Sequence, residues 1–122
     1  MAKDGTRRRN TKRARRRPSI PPARLSSMIE EAIVDAYTEA EQAAGFHATI
    51  EQHLAVPFET VVLGAGVTVK RIGITTAGEV VAVCYRGRER QAIPLLELPL
   101  PDPPPTGWVW IEAYRRWALG RW

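Results

Sequence analysis

Residues 58–95 read FETVVLGAGVTVKRIGITTAGEVVAVCYRGRERQAIPL, and this stretch decides the fold. It consists of short runs rich in Val and Ile, in which apolar and polar residues tend to alternate, as is typical of β-strands. Glycine-containing turns of hairpin size separate the runs. The pattern predicts four strands of an antiparallel sheet, over residues 58–63, 67–74, 79–85 and 90–95.

Helical periodicity precedes the strands. Residues 26–44 place apolar side chains on one face of a predicted helix. Ser27 and Glu30 have the spacing of a capping box at the start of this helix. Gly45 is predicted to end it, because glycine commonly follows the last residue of a helix. A second, short helix is predicted over 47–54, so the two would form a helical hairpin.

A further helix is predicted over residues 108–119, after a proline-rich linker at 99–107. It carries three of the four tryptophans in the chain, Trp108, Trp110 and Trp117. So much apolar area favours docking on the sheet, and a surface for a protein partner is the alternative. Together the elements predict an α+β fold, with an N-terminal helical hairpin, a small antiparallel SH3-like barrel sheet and a C-terminal helix.

Charge is unevenly distributed along the chain. Residues 1–24 contain ten basic residues and one acidic residue, whereas residues 25–122 carry a net charge of −4. The first segment has almost no apolar side chains with which to offset the entropy of folding, so it is predicted to be a disordered arginine-rich arm. Residues 25–122 are predicted to form a single domain.

The arm gives the main functional prediction. Arginine-rich segments bind nucleic acid chiefly through phosphate contacts, and a basic hairpin turn would add a second contact. We therefore predict an accessory protein that contacts RNA or DNA, for example within a ribosome or polymerase complex. The alternatives are that the arm is a solubilising tail or that it binds an anionic membrane. The arm has no amphipathic apolar face, which disfavours a membrane partner. The predicted contact residues are Arg7, Arg8, Arg9, Lys12, Arg13, Arg15, Arg16, Arg17, Arg86, Arg88 and Arg90.

Several other functional classes find little support. Cys84 is the single cysteine, which excludes an internal disulfide and a zinc site built from several cysteines. His47 and His53 do not share a helix face, and no nucleophile or nucleotide-binding motif is present, so no catalytic residues and no enzyme activity are expected. The chain has no apolar stretch near the length of a membrane span and no signal-peptide core, so the cytoplasm is the expected location.

Acidic residues in the first predicted helix give a second functional signal. Glu31, Asp35 and Glu39 are four residues apart and would stack on one stripe of a helix over 26–44. Like charges at this spacing disfavour a bare helix, so a partner should offset them. The spacing alone favours a solvated or salt-bridged face, and a calcium ion held by carboxylate oxygens is the alternative.

The run IVDAYTEAEQAAGF at residues 33–46 is followed at fixed spacing by short matches at 50–51, 54, 57–58 and 94–98. In these features the chain resembles a small bacterial calcium-binding family, that of CcbP, over residues 28–98. The arm and the C-terminal helix lie outside this resemblance. It implies a barrel-like domain with Ca²⁺ as a ligand, and calcium binding is therefore the alternative function. The acidic positions carried over by the resemblance are Asp35, Glu39, Glu41 and Glu51.

Overall fold

Three helices and four strands make up residues 19–120, the part of the chain that the computed structural model describes. In chain order they are α1 (Pro22–Ala32), α2 (Glu39–His53), β1 (Phe58–Val62), β2 (Ala65–Ile74), β3 (Val80–Arg86), β4 (Glu89–Pro94) and α3 (Trp108–Ala118). The predicted α+β class is confirmed. Most of the predicted arm lies outside the described residues, although Arg24, which the sequence assigned to it, lies in α1.

The four strands form an antiparallel sheet in the order β1-β2-β3-β4. Each strand begins and ends within two residues of its predicted bounds. Two-residue turns join β1 to β2 and β3 to β4. In the described part of the chain β1 and β4 are the two edges of the sheet, so the antiparallel sheet is confirmed whereas its SH3-like closure is not.

The helix predicted over 26–44 is in fact two helices, so that prediction was wrong. α1 begins at Pro22. Proline suits the first position of a helix because an N–H group there would have no partner within the helix, and proline lacks that group. Ser27 therefore lies inside α1 and does not cap it. The capping box is formed instead by Thr38 and Glu41, which start α2 after a short loop.

Gly45 has a packing role in the structure, where the sequence predicted a helix stop. A β-carbon at this position would overlap the carbonyl oxygen of Ala32 at the end of α1. Glycine is required because the two helices approach each other so closely here. α2 consequently continues through Gly45 to His53 and includes the separate helix predicted over 47–54.

The helices pack on one face of the sheet and form a single core with it. The largest fully buried side chains come from both layers: Phe46, Ile29, Ile50, Leu95, Leu98, Ile111, Val69 and Val80. Burying one large aliphatic or aromatic side chain contributes about 1.5–3 kcal/mol, so this cluster is the main source of stability. It holds α2 against β2 and β3, which positions the loops described below.

α3 has nearly its predicted bounds and docks on the rest of the domain. Trp110 and Tyr114 are buried, and the Tyr114 hydroxyl accepts a hydrogen bond from the Val80 N–H (3.2 Å). Arg115 donates to two backbone carbonyls of the segment after β4, which fixes that segment against the helix. None of the helices in residues 19–120 is long and apolar enough to cross a membrane.

Candidate functional site

The acidic stripe predicted for one long helix does not form. Glu31 lies near the end of α1, Asp35 lies in the loop, and Glu39 is the first residue of α2. Asp35 has a left-handed backbone with φ 61°, which a continuous right-handed helix cannot contain. The spacing of these three carboxylates therefore does not align them, and the helical repulsion inferred from it does not arise.

Glu41, one of the acidic residues carried over from the family, caps α2. Its Oε1 accepts hydrogen bonds from the N–H groups of Tyr37 (2.9 Å) and Thr38 (3.0 Å), and the Thr38 hydroxyl accepts one from the Glu41 N–H (3.1 Å). The Tyr37 and Thr38 N–H groups stabilise the carboxylate and lower the pKa of Glu41. One oxygen of this predicted ligand is therefore already occupied by the backbone.

Glu51 lies too far along α2 to share an ion with Glu39. Their separation of twelve residues corresponds to about 18 Å along a helix. The neighbour of Glu51 is His47, whose Nε2 lies 3.8 Å from Glu51 Oε2. Among residues 19–120, no three His, Cys, Asp or Glu side chains are grouped closely enough to hold a metal ion. The four acidic residues carried over from the family therefore do not surround one point.

Glu39 lines an open cleft together with Glu79, a residue that the sequence did not identify. The cleft has a volume of about 540 Å³ and lies between the start of α2, the β2–β3 turn and the end of α3. We term it the Glu39–Glu79 cleft. Its other lining residues include Gln42, Gly78, Tyr114 and Trp117.

Hydrogen bonds fix the walls of the Glu39–Glu79 cleft. The Gln42 amide donates to the Ala36 carbonyl (3.3 Å) and accepts from the Trp117 indole N–H (2.9 Å). On the opposite wall, the Thr75 hydroxyl accepts from the Glu79 N–H (3.1 Å). The backbone of both walls is therefore held in place, while the carboxylates of Glu39 and Glu79 remain exposed to solvent.

Tyr114, which also lines the cleft, is sensitive to the charge of Glu79. Burial is the largest influence and raises the pKa of Tyr114, whereas the hydrogen bond from the Val80 N–H lowers it. The negative charge of Glu79 raises this pKa further, because it disfavours the phenolate. The influence of Glu79 is the smallest of the three.

The donor atoms of the cleft are of the type that calcium prefers. The two carboxylates are hard ligands, and calcium takes about six to eight oxygens, so backbone carbonyls and water would complete the shell. Sequence reasoning missed Glu79 because it follows Glu39 by forty residues and belongs to a hairpin turn. Nothing in its local pattern indicates that the two residues line the same cleft.

The basic residues predicted at the hairpin are accessible in the structure. Arg86, Arg88 and Arg90 are all exposed around the β3–β4 turn. The other eight predicted nucleic-acid contacts lie outside the described residues; they are Arg7, Arg8, Arg9, Lys12, Arg13, Arg15, Arg16 and Arg17.

Comparison with known proteins gives one family match. The sequence model of the CcbP family, described as calcium binding, matches residues 26–118. This match begins in α1 and ends at the last residue of α3, so the likeness includes the C-terminal helix and is longer than the sequence motifs indicated. No curated protein and no solved structure matches the chain significantly.

Proposed function

Because the chain belongs to the CcbP calcium-binding family, we propose that it binds calcium ions. The observation that carries this proposal is the family match over residues 26–118, which spans more than half of the chain. Both walls of the Glu39–Glu79 cleft lie within the matched residues. The cleft is therefore part of the domain that the family shares.

We place the proposed ion in the Glu39–Glu79 cleft. Glu39 and Glu79 would supply carboxylate oxygens from two separate elements. With so few charged ligands, the expected dissociation constant is in the weak range, about 10⁻⁴–10⁻³ M.

Terbium(III), a luminescent analogue of calcium, tests this location because Trp117 lines the cleft and can transfer excitation energy to an ion held there. Glu39→Gln and Glu79→Gln each remove one carboxylate charge with little change of shape. We expect each variant to bind terbium about tenfold more weakly, which is the scale of one lost charged contact. The calcium concentration needed to displace terbium should show the same tenfold loss of calcium affinity. Glu51→Gln removes the same charge from α2 outside the cleft and should leave binding unchanged.

The outcomes separate the function from the location. If the unmodified chain shows neither calorimetric heat with calcium nor terbium luminescence, calcium binding is wrong. If the chain binds both ions and the Glu39 and Glu79 variants bind them equally well, the function holds and the cleft is the wrong site.

We also propose that the chain contacts nucleic acid through its basic residues. The supporting observations are the exposure of Arg86, Arg88 and Arg90 at one turn and the ten basic residues among residues 1–24. Guanidinium groups would contact phosphates of RNA or DNA and release counterions, which gives affinity with little sequence preference.

The salt dependence of binding tests the role of the arm. If about five basic residues reach phosphates, log K should fall against log salt with a slope of about −4 to −5 on duplex DNA. The full chain carrying Arg13→Ser, Arg15→Ser, Arg16→Ser and Arg17→Ser should show a slope shallower by about 2 or more in fluorescence anisotropy titrations. An unchanged slope would exclude the arm as the main contact.

A further inference from the structure

The outer face of the sheet, which points away from the helices, carries basic residues around Tyr85. Cys84 belongs to the core beneath the helices, so the next residue along β3, Tyr85, projects to the opposite face. The strand register places Tyr85 opposite Arg90 of β4. Paired residues of antiparallel strands project to the same face, and neighbouring strands are about 4.8 Å apart. Arg90 and Tyr85 are therefore direct neighbours.

A β-bulge in β2 adds two more cations to this face. Val69 pairs with Cys84 and Arg71 pairs with Val83, which leaves Lys70 as an extra residue between them. The Lys70 Nζ lies 4.6 Å from the centre of the Tyr85 ring, so its side chain also reaches the outer face. A regular strand would send consecutive residues to opposite faces, whereas the bulge brings both Lys70 and Arg71 to one face.

The β3–β4 hairpin does not carry an excess of positive charge on its opposite face. Arg86 is paired with Glu89 there, so opposite charges lie next to each other. On the outer face Glu59 of β1 is paired with Thr68, and Thr68 is in turn paired with Tyr85. Glu59 therefore lies two strands away from Tyr85, about 10 Å, and limits the basic surface on that side. We term Lys70, Arg71, Tyr85 and Arg90 together the Tyr85 face.

We propose that the Tyr85 face binds single-stranded nucleic acid, with a base stacked on Tyr85 and the three cations on flanking phosphates. This inference rests on the second proposed function, and it specifies that the nucleic acid is single-stranded. The bases of a single strand are free to stack on an aromatic ring, whereas a duplex offers the face mainly its phosphates. Tyr85 is half-buried, and a base stacked on the open part of its ring would displace Lys70 and free its ammonium group for a phosphate.

The test compares two double variants of the full chain that each remove two positive charges from the sheet. Lys70→Ser with Arg90→Ser removes the two cations beside Tyr85, and Arg86→Ser with Arg88→Ser removes two cations elsewhere. By fluorescence anisotropy on a single-stranded oligonucleotide, we expect an affinity loss of about tenfold for the first pair. The second pair removes phosphate contacts of the second proposed function but no cation beside the stacked base, so we expect a smaller loss of about threefold that is the same on a duplex.

Variants of the ring separate stacking from charge. Tyr85→Leu keeps an apolar side chain on β3 and should weaken single-strand binding about fivefold or more, with duplex binding unchanged. Tyr85→Phe keeps the ring and should bind as the unmodified chain does, which controls for damage to the sheet. Glu59→Gln removes the negative charge at the edge of the face and should tighten binding.

Two results would overturn the proposal. One is an equal loss of single-strand affinity in the two charge-matched pairs, which would indicate diffuse attraction. The other is a Tyr85→Leu variant that binds single strands as well as Tyr85→Phe does. The role of the arm can fail separately: an arm variant with an unchanged salt slope would exclude the arm while the losses at the Tyr85 face persist.

Discussion

The end of α1 meets the middle of α2 so closely that a β-carbon on Gly45 would overlap the carbonyl oxygen of Ala32. Glycine inside a helix costs about 1 kcal/mol relative to alanine, so its presence here requires an offsetting gain. The gain is the close approach of two helices that bury Ile29 and Phe46 completely near the contact. Gly45 is thus a condition for the packing of the helical hairpin.

We predict that Gly45→Ala destabilises the protein although alanine is the better helix former. Overpacking costs about 1–3 kcal/mol, which exceeds the propensity gain of about 1 kcal/mol. The free energy of unfolding, measured by urea denaturation, should therefore fall. Ala44→Gly, at the exposed neighbouring position, is the control and should cost about 1 kcal/mol from propensity alone. A Gly45→Ala variant more stable than the parent would contradict the close contact.

The Thr38–Glu41 capping box should make stability depend on pH in the acid range. The folded-state pKa of Glu41 is lowered, so its contribution is complete above the ordinary carboxyl pKa and disappears as pH falls through the lowered value. Glu41→Gln keeps an acceptor for the backbone without titrating. Its urea midpoint should therefore decrease less on acidification than that of the unmodified chain, and equal decreases would remove Glu41 from this role.

The hydroxyl of the same cap also contributes to stability. Thr38→Ala removes the acceptor of the Glu41 N–H and should lower the free energy of unfolding by about 0.5–2 kcal/mol. Thr38→Ser retains the hydroxyl and is the matched control. If both variants lose the same stability in thermal or urea denaturation, the hydrogen bond is not the cause.

Glu79→Gln should lower the pKa of Tyr114. The negative charge of Glu79 disfavours the phenolate, so removing that charge makes the phenol easier to ionise, while the larger effect of burial remains. NMR of ring-labelled tyrosine across the alkaline range measures this shift for Tyr114 individually. Calcium bound in the Glu39–Glu79 cleft should shift the pKa in the same direction. Glu51→Gln, which lies outside the cleft, serves as the control and should leave it unchanged.

The sheet was predictable because its signals are local. Alternating apolar residues and short glycine-containing turns determine where each strand of residues 58–94 begins and ends, and no distant contact is needed to recognise them. The helical hairpin was predictable only in part. Ser27-x-x-Glu30 and Thr38-x-x-Glu41 have the same capping pattern, but only the second starts a helix, because α1 already begins at Pro22 and Ser27 lies inside it.

The candidate sites depended still more on tertiary structure. Glu39 was predicted, but its partner in the cleft is Glu79, which only the docking of α2 and α3 beside the β2–β3 turn brings near. In the same way Lys70 and Arg71 are adjacent in sequence, and alternation would send them to opposite faces. The bulge that brings both to the Tyr85 face is visible in the strand register and has no marker in the sequence.

Leu63 provides the last prediction, since it occupies a position that suits a different residue. The sequence predicted it as the end of a strand, but Leu63 and Gly64 form the two-residue turn between β1 and β2, and both have positive φ, 50° and 78°. Such turns favour Asn followed by Gly, because a bulky side chain is strained in the left-handed region. Leu63 is also fully exposed, so it has no packing that would offset the strain.

Leu63→Asn should therefore raise the free energy of unfolding, by about 1 kcal/mol, because asparagine tolerates the left-handed backbone. Leu119→Asn is the matched control: this leucine is also exposed, but its φ is −89°, so the substitution relieves no strain. Thermal and urea denaturation of both variants measure the difference. If Leu63→Asn is neutral or destabilising while Leu119→Asn has no effect, the leucine side chain stabilises the turn and backbone strain does not dominate there.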